Sequence, residues 1–290
     1  MSGAQLRAAA AVVGLSIQEG IRRRVFLAVL VLTVGFLSLY ALGAHFAFRD
    51  VGQFASGVPD VLDSRAFTGA TLLGLAMFAT LFLGAVLAVF LTLGVVRGDA
   101  ESGLLQPIVV RPLGRTTMLV ARFAGAALLS AAYVVVVYLA ACAIIQVTGD
   151  WTPDHLLGPA LGLALAVAIV AALSLLASTV LSATAQGIVV FMVFGAGLTA
   201  GLMAQIGSAI DSDSLHAIGR TASWALPFEG LYAASLHALI SQTSGLTGVV
   251  LQLGPFGGSE AAGPGLVAWA FVYLLGVLAL AAFVFSRRDL

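Results

Sequence analysis

The residues best placed to do chemistry stand together at 97–122, RGDAESGLLQPIVVRPLGRTTMLVAR. Four arginines (Arg97, Arg111, Arg115, Arg122) face two acids (Asp99, Glu101) there, between two long apolar runs. Asp99 and Glu101 suit the first turn of a short helix over 101–106, because unpaired N–H groups make that end partly positive. Pro107 limits this helix, and Arg111-Pro112 starts an extended turn, since the residue before a proline is pushed out of helical backbone. Gly114 and Arg115 then lead into the next apolar run. A connection needed only for topology could be a few polar residues long. One that carries both a helix and a fixed turn reads as a docking surface for a soluble partner. The plainer alternative is a basic anchor of the kind inward-facing membrane loops carry.

Other chemistries are excluded by residues that are missing. All thirteen basic residues are arginine, because the sequence holds no lysine. A P-loop needs its lysine to reach the β- and γ-phosphates, so this chain cannot hydrolyse ATP through that motif. If ATP drives it, a partner holds the ATP. Cys142 is the single cysteine and excludes an intrachain disulfide or a cysteine metal cluster. His45, His155, His216 and His237 share no ligand-type spacing and read more simply as polar residues near the membrane surface. With no clustered acid, base or nucleophile, we expect no catalytic, cofactor-binding or metal residues and a non-enzymatic chain. A net charge of zero argues against nucleic acid as a partner.

The elements that position the 97–122 segment are set by the bilayer. The 290 residues are 61% hydrophobic and 9% charged, whereas a soluble domain is about a quarter charged. A spanning helix needs roughly 20 apolar residues. Runs of this kind predict an all-α integral membrane protein, a single transmembrane domain over 1–290 with spans at about 25–44, 69–96, 119–149, 156–181, 187–206 and 264–285. Ahead of them, Leu6, Ala10, Val13, Ile17 and Ile21 recur at helical spacing over 3–24, with Arg7, Gln18 and Arg22 on the other side. Glu19 and Arg23 are spaced as an i,i+4 ion pair. We read an amphipathic helix lying in the membrane interface, against the alternatives of a signal peptide or an unstructured leader. A signal peptide carries its charges before its apolar core, and here Arg22, Arg23 and Arg24 follow it.

Arginine placement orients the chain. With the N-terminus inside, ten arginines fall inside and only Arg49, Arg65 and Arg220 outside, while nine of the thirteen acids fall outside. Both termini are therefore expected in the cytoplasm, and six spans preserve the split. The expected span interiors hold no Asp, Glu or His. That argues against an ion-coupled transporter, whose pathway such residues mark. Residues 45–68 read as a polar loop. Residues 207–263 are less apolar: Pro227-Phe228 opens a segment to Ile240 with Glu229 and His237 as its polar members, and Trp224, Phe228 and Tyr232 suit interfacial depth. Two readings stay open there, a helical hairpin dipping into the outer leaflet and a pair of helices resting on the surface.

On these residues the chain resembles the permease subunits of type-2 ABC exporters. The resemblance rests on Glu101-Ser102-Gly103-Leu104-Leu105 followed by Arg111-Pro112-Leu113-Gly114-Arg115, on the arginine-clustered N-terminal helix and, more weakly, on Pro227-Phe228. The family often has lysine where Arg122 stands, a departure that keeps the charge. The resemblance implies a cytoplasmic coupling helix between spans two and three, with re-entrant or interfacial helices before span six. It implies ATPase coupling by Asp99, Glu101, Ser102, Gly103, Leu104, Leu105, Arg111, Pro112 and Arg115. The expected function is the permease subunit of an ABC transporter in the plasma membrane (the inner membrane of a bacterial cell), moving substrate, by export, on ATP hydrolysed elsewhere. Its partners would be two copies of a P-loop ATPase, a second permease copy (identical or related) and membrane lipid. The alternative is a non-transporting membrane scaffold that anchors a soluble protein through the same loop.

Overall fold

The structure, a computed structural model, describes residues 3–54, 64–93, 115–153, 155–210, 212–240 and 263–287. Among them all regular structure is helical: α1 (Gly3–Arg22), α2 (Arg24–Phe54), α3 (Ser64–Thr92), α4 (Arg115–Gly149), α5 (Leu157–Val180), α6 (Ala183–Ala209), α7 (Asp213–Ala225), α8 (Pro227–Ile240) and α9 (Pro264–Ser286). Six of these, α2 to α6 and α9, are long and apolar enough to cross a membrane. They confirm the all-α fold with six spans.

α3 and α5 form the centre. About three-fifths of each is enclosed by other helices, against less than a fifth of α2, α6 and α9. Leu73, Met77 and Leu81 of α3, Tyr138 and Ile145 of α4, and Leu163, Ile169 and Leu175 of α5 are wholly buried in one core. In lipid such burial is not driven by water, so close packing and small residues hold the helices together. The outer helices turn Leu27, Leu39, Met192, Leu202, Phe271 and Leu275 outward. In a bilayer such positions are solvated rather than exposed.

The first span is longer than the sequence predicts. Residues 45–54 continue α2 as helix where a polar loop is expected, and α3 begins at Ser64 rather than 69. The physical reason is a buried stripe at every fourth residue: Tyr40, Ala44 and Phe48 all enter the core, and the Phe48 ring sits on the backbone of Gly149 in α4. That stripe holds the helix past His45 and on through Arg49 and Asp50. α4 ends at Asp150, which takes a left-handed backbone (φ 51°) and donates its N–H to the Gln146 carbonyl at 3.1 Å. A short polar residue tolerates that conformation.

Within the 207–263 connection two helices are described, α7 and α8. α7 stops at Leu226 because Pro227 has no N–H to continue it, and the proline opens α8 instead. α8 packs on α5, α6 and α9, burying Phe228, Leu231 and Leu236. Phe228 stacks on Phe194, twelve residues into α6, with ring centroids 5.5 Å apart. Trp224 and Trp269 lie together where α7 meets α9, and the Trp269 indole donates to the Trp224 carbonyl at 2.8 Å.

Candidate functional site

The expected coupling residues Asp99, Glu101, Ser102, Gly103, Leu104, Leu105, Arg111 and Pro112 lie outside the described residues, and Arg115 is the first residue of α4. What the structure describes is how the two ends of that connection are held. Those ends are the C-terminus of α3 and the start of α4.

A helix leaves its last four carbonyls without partners. Two side chains from elsewhere supply donors to those of α3. Arg23, at the junction of α1 and α2, donates to the Phe90 carbonyl at 3.2 Å. Its other guanidinium nitrogen donates to Glu19 Oε1 at 2.7 Å, so the ion pair expected from the sequence forms and aims the arginine. A cation is also favoured there because the C-terminal end of a helix is partly negative. The second donor is Gln186 of α6, whose Nε2 lies 3.1 Å from the Thr92 carbonyl.

Gln186 is fully buried and does more than cap α3. The same amide lies 3.0 Å from both the carbonyl and the hydroxyl of Ser174 on α5. Thr92 Oγ1 completes the group at 2.7 Å from Ser174 Oγ. Helices α3, α5 and α6 are thus tied at one end by a polar knot inside an apolar core, where an unmet polar group is costly.

α1 is keyed to the start of α4 by two close approaches. At Gly125 of α4 a side chain would fall 2.6 Å from Ser16 Cβ and 3.2 Å from the Val13 carbonyl. At Gly20 of α1 it would meet Leu129 of α4 at 2.8 Å and Leu91 of α3 at 2.9 Å. A Cβ at Gly125 meets the Cβ and backbone of α1 and requires a helix to move, whereas at Gly20 it meets only the methyl ends of two leucines, which must turn aside. A recess of about 20 Å³, the size of one water, remains between Ser16, Glu19, Gly20, Arg23, Leu91 and Arg122. The face of α1 turned inward includes Ser16 and Gly20, one position round from the apolar stripe, while Leu15 and Ile21 face outward.

Sequence reasoning found the Glu19–Arg23 pair and missed its target. It placed Gln186 in a short link between spans, because nothing local marks a glutamine as a cap for a carbonyl 94 positions earlier. It also counted Glu229 among the polar members of a half-exposed segment, whereas the structure buries that carboxyl. Ser223 Oγ lies 2.7 Å from Glu229 Oε2, and burial raises the carboxyl above its ordinary value.

Six apolar helices of spanning length, with the exit of the second and the entry of the third gripped by an N-terminal helix, define a multi-pass membrane protein. Over residues 10–290 the sequence matches the profile of the ABC-2 family transporter protein, and the chain belongs to that family. It is thus a membrane permease of an ABC transporter, a membrane subunit that associates with an ATPase subunit. Among proteins of curated function, none is matched by this sequence.

Proposed function

We propose that this chain is the non-catalytic half of an exporter, driven by ATP hydrolysed on two partner ATPase chains, with a second permease copy completing the path. Asp99, Glu101, Ser102, Gly103, Leu104, Leu105, Arg111, Pro112 and Arg115 receive the partner's motion on the cytoplasmic side, where the arginine split also puts both termini. The observation that carries this reading is the double hold on the α3 C-terminus. Arg23 joins α1 to Phe90, and Gln186 joins α5 and α6 to Thr92, immediately before the 97–118 connection. A push on that connection cannot move span two alone. It moves α1, α4, α5 and α6 with it, which is the kind of two-state element that coupling requires. α1 lies in the inner interface, and α7 with α8 forms a hairpin that enters the outer leaflet. The burial of Phe228 and Leu236 supports the inserted hairpin over surface helices.

The test replaces Glu101 and Arg111 together by alanine in the full transporter. Co-purification of the ATPase should fall, and substrate-stimulated ATP turnover should drop by tenfold or more, about 1.4 kcal/mol of lost coupling. Unchanged co-purification with unchanged stimulation sinks the docking role. Retained binding without any substrate-dependent stimulation of the unaltered transporter marks a scaffold instead.

A further inference from the structure

We propose that the carboxyl of Glu229 is a proton-binding site whose neutral form fastens the α7–α8 hairpin to α6, and that loss of its proton unfastens it.

The argument begins with one hydrogen. Ser223 Oγ lies 2.7 Å from Glu229 Oε2 and 3.1 Å from the Gly219 carbonyl. A serine hydroxyl has a single hydrogen to give. If Glu229 is ionised, that hydrogen goes to Oε2 and the Gly219 contact is idle. If Glu229 is protonated, Oε2–H donates to Ser223 Oγ, Ser223 donates to Gly219, and both contacts are made. The spacing fits the acid better than the carboxylate. A buried carboxylate is ordinarily held by two or three donors, and among the described residues Ser223 is the hydrogen-bond partner of this one.

The rest of the pocket is apolar and tight. Glu229 Oε1 rests against the backbone of Gly201 on α6, at the point where any side chain would stand. The glycine is therefore the notch that admits the carboxyl, and the residue is 5% exposed. Among the described residues no compensating charge faces it. α5 and α6 carry no ionisable side chain, α3 has Arg65 in its first turn, and α9 has Tyr273, with Arg287 at its far end. α7 carries Asp213, His216 and Arg220 ahead of Ser223, and α8 carries Tyr232, whose phenol burial raises, and His237. Glu229 is the third residue of α8, where the helix end favours a negative charge. Its side chain, however, turns to Ser223 in the last turn of α7, whose C-terminal end opposes that charge.

Deprotonation leaves a carboxylate that must find water. The route is separation of α8 from α6 at the Gly201 notch. The sign follows from burial. The folded value lies above the ordinary one, so the contribution of the neutral form is complete below the ordinary carboxyl value and is lost as pH rises through the folded value.

The experiment uses the full chain in lipid nanodiscs. The infrared difference between wild type and Glu229→Gln should show the C=O stretch of a protonated carboxylic acid at pH values above the ordinary carboxyl range. That band should fade as pH rises, together with the wild-type melting temperature and with protection of α7 and α8 amides from exchange. In Glu229→Gln, or in Glu229→Leu if the first variant fails to fold, the extra loss with pH should be absent. A wild-type spectrum that loses the acid band within the ordinary carboxyl range overturns the proposal, as does an identical pH profile in wild type and variant.

Discussion

Gln186 and Arg23 act at the same helix end by different means. The glutamine offers a neutral amide to three buried acceptors, and the arginine brings a half-exposed charge shared with Glu19. Replacing Gln186 by leucine leaves the Thr92 carbonyl without its side-chain donor and the Ser174 hydroxyl with Thr92 Oγ1 alone. A buried group stranded in this way costs about 1–3 kcal/mol, and polar pairs between membrane helices fall near the lower end, about 0.6 kcal/mol on average. A melting temperature lower by roughly 2–4 °C is expected for a loss of about 1 kcal/mol, measured in detergent. A variant as stable as wild type would remove the knot from the account of how α3, α5 and α6 are held. The Arg23 pair with Glu19 is exposed and contributes little by itself. Arg23→Lys keeps the charge but loses the planar fork that serves two acceptors at once.

Elements are keyed to one another at glycines and at helix ends. The α1–α4 crossing is close enough that Ser16→Cys with Gly125→Cys, in a Cys142→Ala background, should form a disulfide under mild oxidation. A Cβ built at Gly125 falls 2.6 Å from Ser16 Cβ, closer than the roughly 3.5–4.5 Å a disulfide spans, so the two helices part by about 1 Å as the bond closes. Absence of the cross-link in intact membranes would mean that α1 does not lie along α4. Gly125→Val should push α1 away, lower the melting temperature and weaken coupling, since the branched side chain has no room beside Ser16. The stripe Tyr40–Ala44–Phe48 could be read from its spacing. The charges of Arg49 and Asp50 nevertheless suggested a loop, because the length of α2 depends on contacts with α4 that no local pattern encodes.

At the scale of the molecule, length and burial set the architecture. α2 has 31 residues and α4 has 35, so each is about 45–55 Å long at 1.5 Å per residue. A hydrocarbon core of ~30 Å cannot enclose them upright, and they tilt or project beyond it. In the proposed arrangement, projection at the α1 end carries the start of α4 toward the partner. Cys142, buried between α4 and its neighbours, reports on the whole fold. A maleimide should leave it unmodified in the native protein and react fully on unfolding, and rapid labelling without loss of structure would show that the α4 core opens.

The sequence by itself determined the class. Six long apolar runs define a multi-pass membrane protein, and the match over residues 10–290 an ABC-2 family permease, because hydropathy and residue pattern are properties of the chain before it folds. The tertiary structure decided where individual polar groups go. Gln186 reaches Thr92 across 94 positions, Arg23 reaches Phe90 across 67, and Glu229 is enclosed only because α6 presents a glycine at 201. Whether such a side chain meets lipid, water or a partner depends on which helix lies beside it, and that is fixed by packing between segments far apart in the chain.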